Sequence, residues 1–497
     1  MFKIGFDSQN YLKMQSEFIN DRIKLFGNKL YLEFGGKLFD DYHAARVLPG
    51  FEADSKIRML STLSDKTEII LVINCMDIEK NRIRGDIGIT YDADVLRLID
   101  AFQSRDLYVS GVVITHYSEH PATAQFKEYL EQRGIRVYKH YYIEDYPTNM
   151  DKVLCEDGFG KNDFIETTRP LVVITAPGPG SGKMATCLSQ LYHENLRGNR
   201  AGYAKYETFP VWNLPLNHPV NLAYEAATVD LNDVNMIDPF HLDAYNVTAI
   251  NYNRDIEVFP ILNEVITRII GENPYKSPTD MGVNMAGNCI IDDEVCRFSS
   301  NQEIIRRYYT TQVDLKSGKG NSTQGKKMEL LMNKAGLSPL DRPTVSYALD
   351  KSKSENTPSV AIELPDGRFV TGKTSSLLGA SSAALLNALK VLANIHDDIR
   401  LISPVIIEPI QQLKTSFLGN KNPRLHTDEV LIALSICAAT NPMAELVMEQ
   451  LQNLKNSEVH SSVILSEVDL DVFKSLGMNV TTEPVFESNK LYHKNRR

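Results

Sequence analysis

From residue 171 to 188 the chain reads Leu-Val-Val-Ile-Thr-Ala-Pro-Gly-Pro-Gly-Ser-Gly-Lys-Met-Ala-Thr-Cys-Leu. An apolar run leads into a glycine-rich turn, and residues at helical spacing follow from Lys183. That order suits a phosphate-binding turn. Glycines let the main chain approach an anion, successive N–H groups converge on it, and a helix N-terminus adds about half a positive charge. Gly178, Gly180, Ser181 and Gly182 would form the cradle, with Lys183 at the outer phosphate oxygens. The match to G-x-x-x-x-G-K-[ST] is incomplete. Pro177 stands where the first glycine belongs, and Met184 where the magnesium-holding hydroxyl belongs. Thr186 and Ser181 are the substitute oxygen donors. The ligand expected here is a nucleotide or another phosphorylated molecule, with magnesium compatible. A tight turn that binds nothing is the alternative.

Further residues could supply acid–base chemistry. The stretch 203–210, Tyr-Ala-Lys-Tyr-Glu-Thr-Phe-Pro, falls where the chain should return to a sheet after the helix from Lys183. Ligands of doubly wound sheets sit outside the carboxyl ends of strands, so Lys205 and Glu207 could face the same crevice as charge clamp and acid or base. Asp280, in the polar loop 275–284, is the next candidate base, although Ser-Pro-Thr-Asp is equally a helix cap. A second acid for magnesium is sought at Asp292 and Asp293, where a solvated acidic turn is the plainer reading. Gly372-Lys373-Thr374 repeats the glycine-lysine theme weakly, and its hydroxyls suit the cap of a helix starting at Ser376. Gly35-Gly36-Lys37 reads as a hairpin. His116 and His120 have no third ligand, and no metal site is expected.

The elements that must position these residues show up as alternation. Residues 68–74, 111–115, 135–138 and 171–175 are short apolar strands, and 92–102 and 121–132 are helical between them. Strand, helix and strand in repetition predict parallel pairing, hence an N-terminal doubly wound, mostly parallel sheet of the α/β class. Residues 213–255 are rich in Asn, Asp, Pro and Tyr and read as irregular. Helices are expected at 259–270 and 301–315, and the Gly/Ser/Lys stretch 316–327 reads as a loop or linker. After it, Pro365-Asp366-Gly367 between β-rich runs signals a hairpin. Helices at 376–394, 428–438 and 443–454 and a strand at 461–465 complete a separate C-terminal α/β domain. The expected division is 1–225, a helical or irregular middle at 226–340, and 341–497.

The chain has 497 residues, 53 basic against 63 acidic, and a formal net charge of −10. That balance repels a nucleic-acid backbone, so no nucleic-acid partner is expected. The N-terminus lacks the pattern of a secretory signal, and no apolar run approaches the roughly 20 residues that cross a bilayer. Six scattered cysteines without a C-x-x-C pair suit reduced thiols in cytoplasm. The composition permits a homo-oligomer.

Taken together, residues 176–186, 205–212, 277–284 and 372–376 resemble a bacterial family of roughly 500-residue proteins known as an uncharacterised family with a domain of unknown function. The resemblance spans the chain and implies a three-part α/β protein. It brings no activity and no catalytic residue. Function therefore rests on the local chemistry, which favours an enzyme acting on a nucleotide or phosphometabolite at residues 177–186. A non-catalytic phospholigand-binding regulator and a scaffold with a purely structural turn remain alternatives.

Overall fold

The centres of the runs 67–74, 108–115 and 171–175 are apolar on both faces, so both faces have to be covered. In the computed structural model, which describes residues 3–35, 38–84 and 88–488, all three are strands of one parallel sheet. Its strands are β1 (Leu30–Phe34), β2 (Thr67–Asn74), β3 (Tyr108–Thr115), β4 (Val137–Lys139), β5 (Leu171–Thr175), β6 (Gly202–Tyr206) and β7 (Gly282–Val283). They lie in the order β7-β6-β1-β5-β2-β3-β4. Each pairing is parallel.

From β2 the chain steps outward to β3 and β4, and from β5 it steps the other way to β6 and β7. The direction reverses between the neighbours β2 and β5, which is where an open α/β sheet leaves a crevice at its carboxyl edge. The glycine-rich turn leaves β5 at that edge. The helices Ser8–Leu25, Tyr91–Gln103, Pro121–Gln132, Lys183–Leu196 and Asn253–Ile270 surround the sheet. Their apolar faces and the strands make one continuous core.

The chain divides into two compact units, Ile4–Ser299 and a second that runs from Ser300. The segment 226–299 of the expected middle region lies in the first unit, and 300–340 in the second. The stretch 213–255 is more regular than its composition suggested. It holds the helices Pro219–Ala227 and Pro239–Tyr245 and an antiparallel pair, Asn235–Ile237 with Ile250–Tyr252. Both helices start at a side-chain cap, His218 or Asp238, followed directly by proline. The expected linker 316–327 is corrected too. Only its first residues turn, and the helix Ser322–Ala335 begins inside it. Asn321 and Gln324 form a reciprocal capping box there, and Met328, Leu331 and Met332 bury one face.

The second unit carries a four-stranded sheet in the order Phe369–Lys373, Ser359–Glu363, Glu458–Ser461, Asn479–Thr482. The first two pairings are antiparallel and the last parallel. The predicted hairpin turn is present, with Gly367 at φ +85°. Arg342 is fully buried against this sheet, donating to Thr481 Oγ1, Val459 O and Asn479 O and pairing with Glu458 at 2.7 Å. Among the described residues no helix is long and apolar enough to cross a membrane.

Candidate functional site

The turn after β5 is built from its own hydroxyls. Ser181 Oγ donates to Gly178 O at 2.8 Å, and Thr115 Oγ1, at the end of β3, donates to Ser181 O at 2.7 Å. Thr186 Oγ1 donates back to Gly182 O at 3.0 Å inside the helix Lys183–Leu196. Gly180 and Gly182 have φ of +78° and +90°, the left-handed region that glycine enters without strain. A Cβ on Gly178 would collide with Tyr91 Oη, and one on Gly182 would come within 3.0 Å of Thr115 Cγ2. Steric need thus fixes two of the three glycines.

What the turn leaves open is a row of donors. The N–H groups of Gly180, Ser181, Gly182, Lys183 and Met184 have no acceptor among the described residues. Gly182 caps the helix without a side-chain bond, and the helix carries no acid in its own first turn to offset its positive end. Lys183 is half-buried and forms no ion pair or hydrogen bond among the described residues. One turn on, burial pushes the Cys187 thiol well up, Glu33 adds to the effect and Lys183 opposes it. Lys183 and Cys187 belong to the helix Lys183–Leu196, which packs against β1, the strand that carries Glu33.

Glu33 leads to a second group of charges. It is in register with Lys205 on the neighbouring strand β6, and two side chains in register in a pleated sheet point to the same face. Tyr203 Oη donates to Glu33 Oε2 at 2.8 Å. Lys205 Nζ pairs with Asp255 and with Glu207 Oε1, the latter at 3.0 Å. Side-chain exposure is 25% for Lys205, 23% for Asp255 and 9% for Glu207, so the cluster is withdrawn from water without being sealed. Burial would lower the Lys205 ammonium, but Asp255, Glu207 and Glu33 outweigh it and hold it above the usual lysine range. Burial pushes the Glu207 carboxyl well up; Lys205 opposes this and Asp255 reinforces it. For Asp255 burial acts upward as well, yet Lys205 wins and holds it below the usual range.

The expected residues separate into two groups. Gly178, Gly180, Ser181, Gly182, Lys183 and Thr186 form the turn, and Lys205 and Glu207 stand two strand positions away, on the order of 10 Å along the sheet edge. Asp280 belongs elsewhere. It sits in the helix Pro278–Met281, whose cap Ser277 accepts its N–H at 3.1 Å. Its carboxylate accepts from Lys276 N at 2.9 Å and Tyr245 Oη at 2.8 Å, beside the edge strand β7.

Asp293 is held by His218 and Arg297 at a helix start, so it offers no free acid to a metal. Among the described residues no group of three His, Cys, Asp or Glu could hold a metal ion. Gly372 and Lys373 are in a strand, Lys373 pairs with Glu355 at 2.6 Å, and the helix begins at Ala380 rather than at Ser376. Gly36 and Lys37 of the expected N-terminal turn lie outside the described residues. Sequence reasoning missed Glu33 and Asp255. A lone acid in Leu-Tyr-Leu-Glu-Phe, and an acid in the first turn of an amphipathic helix, were the available signals.

The family pattern described as domain of unknown function DUF1846, N-terminal, matches residues 4–336, and its C-terminal counterpart matches 340–492. The chain belongs to the DUF1846 family. Its relatives include a UPF0371 protein of Streptococcus sanguinis, 55% identical over 99% of this chain and 100% of the relative. UPF0371 proteins of Streptococcus uberis and Streptococcus equi subsp. equi are 56% and 55% identical with the same coverage. The family assignment agrees with the resemblance seen in the sequence blocks, two of which now form the turn and the strand carrying Lys205.

Proposed function

We propose that the chain is an enzyme that binds a phosphorylated small molecule, a nucleotide or phosphometabolite, at the turn formed by Gly178, Gly180, Ser181, Gly182 and Lys183. The observation that carries the reading is the row of unpaired N–H groups beside an unpaired lysine at the point where the strand order reverses. Such a row, with the uncovered helix terminus behind it, favours an anion of the size of a phosphate. With the Ser181 and Thr186 hydroxyls donating to main-chain carbonyls, the turn suits an anion held by N–H groups and Lys183 better than a hydroxyl-bound magnesium. Lys205 and Glu207 supply the acid–base chemistry, and Asp280, whose carboxylate is taken up by Lys276 N and Tyr245 Oη, is left out of it. Six free cysteines and a net charge of −10 support residence in the reducing cytoplasm and a small-molecule partner rather than nucleic acid. Met184 in place of a hydroxyl residue favours a second reading, a phospholigand receptor without turnover; product formation separates the two.

The test is thermal stability against inorganic phosphate, nucleotides and sugar phosphates, with and without magnesium. A ligand at 100 times its dissociation constant stabilises by about 2.7 kcal/mol. At about 2 °C per kcal/mol for a unit of this size, the shift is about 5 °C. Lys183→Ala should abolish it while leaving the ligand-free transition in place. No shift across the panel, or an undiminished shift in the variant, would overturn the reading.

A further inference from the structure

The cluster on β6 contains one positive group and two carboxyls, and its contacts constrain how many protons it holds. Lys205 Nζ bonds both Asp255 and Glu207. The two carboxyls therefore meet at a single ammonium, and side-chain exposure of 9% for Glu207 and 23% for Asp255 leaves little water to screen them. One positive charge cannot balance two carboxylates held this close and withdrawn from water, so one of the two is driven to hold a proton. The surroundings decide which. Asp255 lies in the first turn of the helix Asn253–Ile270, where the unpaired N–H groups favour an anion. Glu207 is the more buried of the two, and a Cβ on Gly282 of β7 would touch its carboxyl at 3.2 Å.

The other charged and titratable groups beside the cluster are Glu33, Tyr252 and Arg254. Glu33 faces Lys205 from β1, and Tyr252 faces Glu207 from the strand Ile250–Tyr252. Arg254, on the turn that carries Asp255, is occupied by Asp233 at 2.6 Å and brings no second cation to Glu207.

Resting on the acid–base role given above to Lys205 and Glu207, we infer that Asp255 is the positioning residue of the site: by pairing with Lys205 it leaves Glu207 holding one proton, which Glu207 can donate into the crevice. In that step the Glu207 O–H bond breaks and a bond forms between the proton and an oxygen or nitrogen of the ligand. The new carboxylate is then met by Lys205, already 3.0 Å away. The site is thereby set for reactions in which a leaving group departs with a proton, on the same face of the sheet as the phosphate cradle. Loss of the proton as pH rises through the raised Glu207 range leaves the cluster in a state from which it cannot donate.

Infrared spectroscopy of the full chain, labelled with carbon-13 glutamate, tests this without any ligand. A protonated glutamate carbonyl band should be present at pH 7 in the wild type and absent in Glu207→Gln. In Asp255→Asn, Lys205 is free to pair with Glu207 alone, and the midpoint of the band should fall by about one to three pH units. Asp255→Glu, which keeps the charge, should retain the wild-type midpoint. Absence of the band at pH 7, persistence of the band in Glu207→Gln, an unmoved midpoint in Asp255→Asn, or a fall of more than one unit in Asp255→Glu would each overturn the inference. The readout involves no phosphate, so a failed ligand titration and a failed infrared titration reject different claims.

Discussion

Replacing Lys205 by methionine removes the one cation that two withdrawn carboxyls share. Methionine keeps most of the volume and the apolar stem, so the change isolates the charge. Breaking one side of a buried ion pair costs about 3–5 kcal/mol, because the remaining charge is left uncompensated. Lys205 and Asp255 keep about a quarter of their side-chain surface exposed and Glu207 is already inclined to hold a proton, which places the loss near 3 kcal/mol. In a unit of this size that is a fall of about 6 °C in its own thermal transition.

Asp255 has its carboxyl held below the usual range by Lys205, so the pair stabilises above that range and loses its contribution as pH falls. The deficit of Lys205→Met should accordingly be full at pH 7 and shrink only below about pH 4, as pH falls from the ordinary Asp range into the lowered one. Adding Asp255→Asn should restore most of the loss, since no lone charge remains. Calorimetry of the single and double variants at pH 7 and at about pH 3 checks all of it. A deficit below about 1 kcal/mol at pH 7, or additive losses in the double variant, would refute the reasoning.

Gly182→Ala forces a side chain into φ +90° and against Thr115 and should cost about 2 kcal/mol or more and abolish any phosphate-dependent shift, whereas Gly180→Ala, at φ +78° but in open space, should cost only the backbone strain of about 1–2 kcal/mol; denaturant titrations compare them. Thr115→Val removes the hydrogen bond to Ser181 O and should lower stability by about 1 kcal/mol while weakening ligand binding, read by thermal shift. The Glu207 carboxyl is raised in the folded chain, so its contribution is present at acid pH and lost as pH rises through the raised value. Glu207→Gln should therefore flatten the decline of stability between about pH 4.5 and mildly alkaline pH, seen in a pH series of melting curves. Arg342→Met leaves Glu458 without its ion pair, and should lower the transition of the second unit by about 3 kcal/mol or more in calorimetry.

The parallel sheet was legible because its strands are buried on both faces, and continuous apolar runs such as 67–74 have few other readings. The turn after β5 was legible because glycine, lysine and helix onset must fall in order for the chain to reverse there. What stayed hidden is non-local. β1 is a short run with a glutamate in it, and only its seat between β5 and β6 makes it a central strand. Asp255 gains its role from a lysine 50 residues away, a pairing that no local pattern announces. Asp280 shows the opposite limit. Ser-Pro-Thr-Asp serves a cap or a catalytic base equally well, and only its partners Lys276, Tyr245 and Ser277 decide how it is used.

The seat of β1 also governs the order in which this chain can be made. Leu30 leaves the ribosome early, yet its partners Leu171 and Gly202 follow about 140 and 170 residues later. Until β5 has been synthesised β1 has no neighbour in the sheet, and until β6 follows β1 keeps one open edge. Contacts of such sequence separation make for slow folding and long exposure of unpaired strand edges. Deleting the first 35 residues would split the sheet into β2–β5 on one side and β6 and β7 on the other. A separate peptide carrying those residues is accordingly the piece whose addition in trans should zip the two halves together.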